Sequence, residues 1–203
     1  MKLLRVGQKG KEKPAALDKE GKIRDISSHV EDLNPHHLNF ETISKLQSAD
    51  LSTLPEISSS ERIGSCITKP GKFVAIGLNF SDHAAETGAE APSEPIVFMK
   101  ATSCINGPND DIEIVSGSKK LDWEVELGII IGKETKHISE DQSQDHILGY
   151  CLVNDISERE WQIEKMGQWV KGKSHDTCGP IGPYMVTKDE ISDINNLKMS
   201  LDV

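Results

Sequence analysis

No apolar run in the 203 residues is long enough to cross a bilayer. The first residues, Met1-Lys2-Leu3-Leu4-Arg5-Val6, turn polar at once and lack the apolar core of a secretory signal, so a cytoplasmic protein is expected. Cys-x-x-Cys pairs are missing. Cys66, Cys104, Cys151 and Cys178 lie far apart, which reads as free thiols and argues against a zinc knuckle or a disulfide scaffold. Basic excess is missing too: the formal net charge is −10, which argues against nucleic acid or an anionic membrane surface as partner. A small anionic substrate would then need a local positive centre, either a metal or particular Lys and Arg residues. There is no internal repeat and no low-complexity tract.

What is present is enough chain for one good-sized core. A composition shift near residue 65 divides a small N-terminal unit (1–65) from a main domain (66–203). In the first unit, Leu3 to Val6, Ala15 to Leu17 and Lys22 to Ile26 read as short strands, and Phe40 to Gln47 has helical spacing. His29, His36 and His37 fall in a polar loop and read as surface histidines. Phe73 to Leu78 is apolar on both faces, the pattern of a buried strand. It delivers the chain to a short helix that Asn79 or Ser81 can cap and Gly88 can close. His83 and Glu86, three apart, share a face of that helix, where a carboxylate can orient an imidazole as general base or form an ordinary surface pair.

Leu121-Asp122-Trp123-Glu124-Val125-Glu126-Leu127-Gly128-Ile129-Ile130-Ile131 alternates apolar and acidic residues with period two, which predicts one strand. Trp123, Val125, Leu127 and Ile129 then share one face, and Asp122, Glu124 and Glu126 the other. Taken alone, the pattern fits a solvated acidic face better than a metal site. A later strand, Gly149 to Asp155, ends on a carboxylate just before a helix that Ser157 and Glu160 would start as a capping box. Arg159 and Gln162 share a face of that helix and can reach back over the strand end. Lys173 stands in a Gly/Pro-rich connection, and Pro183 to Val186 and Leu197 to Val203 read as the last strands. Glu124, Glu126 and Asp155 together would offer three hard oxygen donors, suited to Mg²⁺, Mn²⁺ or Ca²⁺ rather than zinc.

The series Gly77-Leu78-Asn79-Phe80-Ser81-Asp82-His83-Ala84-Ala85-Glu86, Phe98-Met99-Lys100, Asn106-Gly107-Pro108, Asp122-Trp123-Glu124-Val125-Glu126-Leu127, Asn154-Asp155 and Gly172-Lys173-Ser174 resembles the fumarylacetoacetate hydrolase family, in its compact acylpyruvase-like form. The resemblance runs from about residue 70 to the end. It implies a β-rich α+β fold of mixed sheets rolled around the active site, with short helices, behind the small N-terminal α/β unit. It also implies a homodimer and Mg²⁺ or Mn²⁺ on Glu124, Glu126 and Asp155. His83 and Glu86 would be the catalytic dyad on a lid helix, Lys173 the active-site lysine, and Arg159 and Gln162 contacts to the substrate carboxylate. Ile76 stands roughly where the longer fumarylacetoacetases carry a further acidic ligand, which argues against fumarylacetoacetate as substrate. The family continues for several tens of residues beyond position 203, so a C-terminally incomplete chain is expected. The implied activity is hydrolysis or cleavage of a small 2-oxo or 2,4-dioxo acid such as an acylpyruvate, through a metal-stabilised enolate. Ureidoglycolate lyase, oxaloacetate decarboxylase, and 2-hydroxyhepta-2,4-diene-1,7-dioate isomerase or hydratase activities, and a non-catalytic truncated scaffold, are the alternatives.

Overall fold

The computed structural model describes residues 1–80 and 92–202. The regular structure of these residues is mostly sheet, with a few short helices. Strands β1 (Lys2–Val6), β2 (Lys13–Leu17), β3 (Ile23–Asp25) and β4 (Glu56–Ile57) form an antiparallel meander. Two strands, β5 (Val74–Gly77) and β6 (Ile96–Met99), make a separate antiparallel pair, and β7 (Ile105–Asn106) follows. Next come β8 (Leu121–Asp122), β9 (Val125–Ile131), β10 (Ile147–Asn154) and β11 (Ser157–Glu158), then β12 (Gly179–Pro180) and β13 (Met185–Thr187). Among the described residues the large sheet has seven strands in the order β4-β3-β2-β1-β13-β10-β9, an open array and no closed barrel.

The division expected at residue 65 leaves no break in this sheet, because β1 pairs with β13 through Leu3 and Met185. Nor does it break the core. Leu3, Ile26, Leu33 and Leu46 from the first unit pack in one cluster with Leu148, Val153, Ile181 and Met185. Helix α1 (Phe40–Ser48) is started by Asn39, whose side chain accepts from the Thr42 amide, and it buries Ile43 and Leu46. Among the described residues no helix is long and apolar enough to cross a membrane. All four cysteines are buried and unbonded.

The acidic stretch corrects the sequence reading twice. It is two strands, not one, because Trp123 and Glu124 leave the ladder between β8 and β9. There the chain changes partner, from Ser157 opposite Asp122 to Asn154 opposite Val125. The faces are also reversed. Directly opposed residues point to the same side of a sheet. Glu126 stands opposite Val153, and Gly128 opposite Cys151, both core residues, so the carboxylate side looks inward. Leu127 stands opposite Leu152, which is 46% exposed, and Trp123, Ile129 and Ile131 are exposed as well.

Other elements differ for local reasons. Phe73 to Leu78 is not buried on both faces: Val74 and Ile76 are exposed, because among the described residues β5 has β6 as its one ladder partner. The last stretch, 197–202, forms no strand, and the chain runs from a single 3-10 turn at Ile194–Asn196 into irregular backbone. Ser157 does not cap the following helix. It lies in β11, and the helical turn after it, Glu160–Glu164, is wound as a π-helix. Lys173 lies in a short helix, α2 (Val170–Lys173), instead of in an extended connection.

Candidate active site

The adjoining ends of β9 and β10 bring the acidic residues together. Asp155 follows β10 directly, and its amide donates to the Glu124 carbonyl at 2.9 Å. The Asn154 side chain accepts from the Glu124 amide at 3.2 Å. Two backbones that have left regular pairing are thus tied together, and both acids project from the same junction. Glu126 stands two residues further along β9 on the inward face.

Two lysines, each 1% exposed, meet these carboxylates. The Lys173 ammonium lies 2.9 Å from Glu124 Oε2 and 2.7 Å from Asp155 Oδ2, bridging them. The Lys100 ammonium lies 2.6 Å from Asp155 Oδ1. Arg159 adds a third cation, with Nη1 2.6 Å from Glu124 Oε1 and Nη2 2.8 Å from Asp122 Oδ2. Burial works against the charge on Arg159, but Glu124 and Asp122 hold it protonated beyond its ordinary range. Gln162 is buried and accepts from Arg159 Nη1 at 3.1 Å.

Among the described residues Glu126 has no ion pair of its own. Burial, with the like charges of Glu124 and Asp155, pushes its carboxyl up to about 7 against the opposing pull of Lys173. A crowded, partly uncompensated carboxylate facing inward is the chemistry a hard divalent cation would relieve. The donor set therefore fits Mg²⁺ or Mn²⁺. The arrangement is not a ready-made cage: among the described residues no three His, Cys, Asp or Glu side chains converge closely enough to hold an ion. Lys173 and Arg159 take the carboxylate oxygens instead, and binding an ion would mean exchanging part of that pairing.

Of the residues singled out by sequence, Glu124, Asp155, Lys173, Arg159 and Gln162 form one contiguous polar cluster, with Glu126 beside it. His83 and Glu86 lie outside the described residues. Three participants escaped the sequence reading. Lys100 directly follows β6, and a lysine closing an apolar run is a signal in the sequence. Asp122 is the second partner of Arg159. Glu158 is closed off from solvent, accepts from the amides of Lys119, Lys120 and Trp161, and so fixes the start of the turn that carries Gln162. The capping carboxylate is thus one residue later than the expected Ser157, whose hydroxyl donates to the Asp155 carbonyl at 2.8 Å.

A buried lysine–carboxylate cluster at the ends of paired strands, on a mostly β chain, is the setting in which likeness to known proteins becomes informative. Residues 72–203 match the model for the fumarylacetoacetate (FAA) hydrolase C-terminal domain. The chain belongs to that family, and it is an enzyme of the hydrolase and isomerase chemistry found there. A protein of Burkholderia multivorans, provisionally named a hydrolase, is 54% identical over all 203 residues, which make up 72% of its own length. The fumarylacetoacetate hydrolase of Exiguobacterium antarcticum superposes with a TM-score of 0.77 at 30% identity, over 95% of this chain and 68% of that one. A maleylpyruvate hydrolase of Sphingobium sp. SYK-6, solved with manganese(II) and pyruvate, gives a TM-score of 0.75 over 95% of this chain and 69% of its own. At 22% identity that likeness concerns the fold alone.

Proposed function

We propose that this enzyme is a divalent-metal-dependent hydrolase or lyase of small 2-oxo acids, with acylpyruvates as the substrate class. The observation that carries the reading is the junction itself: Glu124, Glu126 and Asp155 crowd around Lys173, with Arg159 at the rim. Glu124, Glu126 and Asp155 would hold Mg²⁺ or Mn²⁺, which when bound supplies Lewis-acid polarisation of a keto oxygen.

The chain's own residues account for the remaining chemistry. Arg159 and Gln162 would receive the substrate carboxylate, a planar anion matched to a guanidinium fork. His83, oriented by Glu86, would take a proton from water as the oxygen attacks the distal carbonyl. The C3–C4 bond then breaks, and its electron pair passes into the pyruvate fragment as an enolate. Lys173, buried and cationic, would stabilise the negative charge that develops on the enolate oxygen. Protonation at carbon releases pyruvate, and the other fragment leaves as a carboxylic acid, so one water is consumed. Decarboxylation, isomerisation or hydration of related substrates would use the same binding groups, and contacts away from this junction would choose among them.

The test is Glu124→Gln against a panel of acylpyruvates and oxaloacetate. A loss of about 100-fold or more in kcat with an unchanged circular dichroism spectrum is expected. Unchanged turnover on a substrate that the parent chain cleaves would sink the assignment. The homodimer expected for the family would use the open face of β9 and β10, where Leu152, Ile129 and Ile131 are about half exposed and Trp123 lies alongside. An apolar strip of this kind on an edge strand is unusual for a lone subunit.

A further inference from the structure

Lys100 lies in none of the roles just proposed, yet its burial is as complete as that of Lys173. Burying an ammonium is costly unless each of its protons finds a partner. Here all three do. Its Nζ lies 2.6 Å from Asp155 Oδ1, donates to the Ile156 carbonyl at 3.2 Å, and donates to the Lys173 carbonyl. These partners come from two separate elements, the end of β10 and the end of α2. The nearby Cys104 thiol does not compete for the charge, since burial pushes it up to about 11 and keeps it neutral.

The consequence is geometric. With Oδ1 engaged by Lys100, the Asp155 carboxylate presents Oδ2 to the Lys173 ammonium at 2.7 Å. The same Lys100 holds the main chain of Lys173, so one cation fixes both members of that contact. We propose that Lys100 is a positioning residue that sets which oxygen of Asp155 faces the site and where Lys173 stands against it. The inference rests on the metal-dependent reading above, because its effect is felt through Asp155 as a donor. Removing the ammonium leaves a buried carboxylate oxygen without a counter-ion and a helix-end carbonyl without a donor. Both groups then move away from the arrangement that Glu124 shares with them.

The experiment is Mn²⁺ titration of three chains by calorimetry: the parent, Lys100→Met and Lys100→Ala. Lys100→Met is expected to bind at least about tenfold more weakly than the parent. In Lys100→Ala the missing atoms correspond to propylammonium, so millimolar propylammonium should restore most of the lost affinity, while 1-propanol should not. A group with a merely structural role would lose melting temperature without that charge-specific rescue. If neither variant folds, the parent decides: the slowly exchanging Lys100 ammonium signal in a ¹⁵N correlation spectrum should shift as Mg²⁺ is added and level off with metal saturation. Parent-like Mn²⁺ affinity in a folded Lys100→Met, equal rescue by propanol, or an ammonium signal unmoved at saturation would each overturn the assignment of Lys100 alone. A parent chain that binds neither ion would remove the metal-dependent reading, and this inference with it.

Discussion

Replacing Glu126 by Gln should make the metal-free protein more stable at neutral and alkaline pH, because the native residue is held there against electrostatics. Its carboxyl is displaced from an ordinary 4.5 to about 7 by burial and by Glu124 and Asp155. A folded-state value raised for an acid means that the unfolded chain releases its proton first. Stability is therefore lost as pH rises from about 4.5 to about 7, and the full penalty stands above that window. At about 1.4 kcal/mol per pH unit, the displacement sets a ceiling of about 3 kcal/mol. Solvent screening of this half-buried side chain reduces the expected effect to about 1–2 kcal/mol, or roughly 2–8 °C in Tm for a chain of this size. Thermal denaturation of chelator-treated parent and Glu126→Gln, at a pH well above and well below the window, reads the effect directly. The variant should melt higher on the alkaline side and coincide with the parent on the acid side. A variant that melts lower at alkaline pH, or whose difference from the parent ignores pH, would refute the reasoning that Glu126 is an uncompensated charge kept for binding.

Three other perturbations probe the surrounding frame. Glu158→Ala removes the acceptor of three backbone amides at one buried point and should cost roughly 3 kcal/mol in urea denaturation; a cost under about 1 kcal/mol would mean that water replaces it freely. Gly172→Ala would drive a Cβ against the Glu158 carbonyl oxygen and set it 2.6 Å from the Gln162 amide nitrogen, so it should destabilise by about 2 kcal/mol or more and displace Lys173; parent-like melting and activity would contradict this packing. Ile129→Lys, on the open face of β9, should leave folding intact and break the proposed homodimer, read by light scattering as a dimer mass for the parent and a monomer mass for the variant; a dimer mass in both would place the interface elsewhere.

Much of the site was legible because its residues lie close in sequence to strand ends, where spacing and turn chemistry speak clearly. Asp155 was placed correctly at the end of β10, and Arg159 and Gln162 do share one surface of the turn that follows. The inward turn of the acidic face was not legible. Period-two alternation shows that two faces differ, but it does not say which one meets the core, and four apolar residues outweigh three acids in the pattern. The break at Trp123 and Glu124 was hidden for a different reason: it follows from a change of partner strand, and pairing partners are nonlocal. Lys100 escaped because lysine is ordinarily a surface residue, and its countercharge, Asp155, lies 55 residues further along the chain. Leu197 to Leu201 carries strand-like alternation yet forms no ladder, since propensity alone does not supply a neighbour.

The most direct test of the central claim is calorimetric titration of the metal-stripped chain with Mn²⁺, with and without oxalate as a mimic of enolpyruvate. If Glu124, Glu126 and Asp155 form an open site that recognises 2-oxo acids, Mn²⁺ should bind at one site per chain and more tightly in the presence of oxalate. A folded sample that takes up no Mn²⁺ under either condition would show that the cluster is a closed lysine–carboxylate network and would contradict the proposed chemistry.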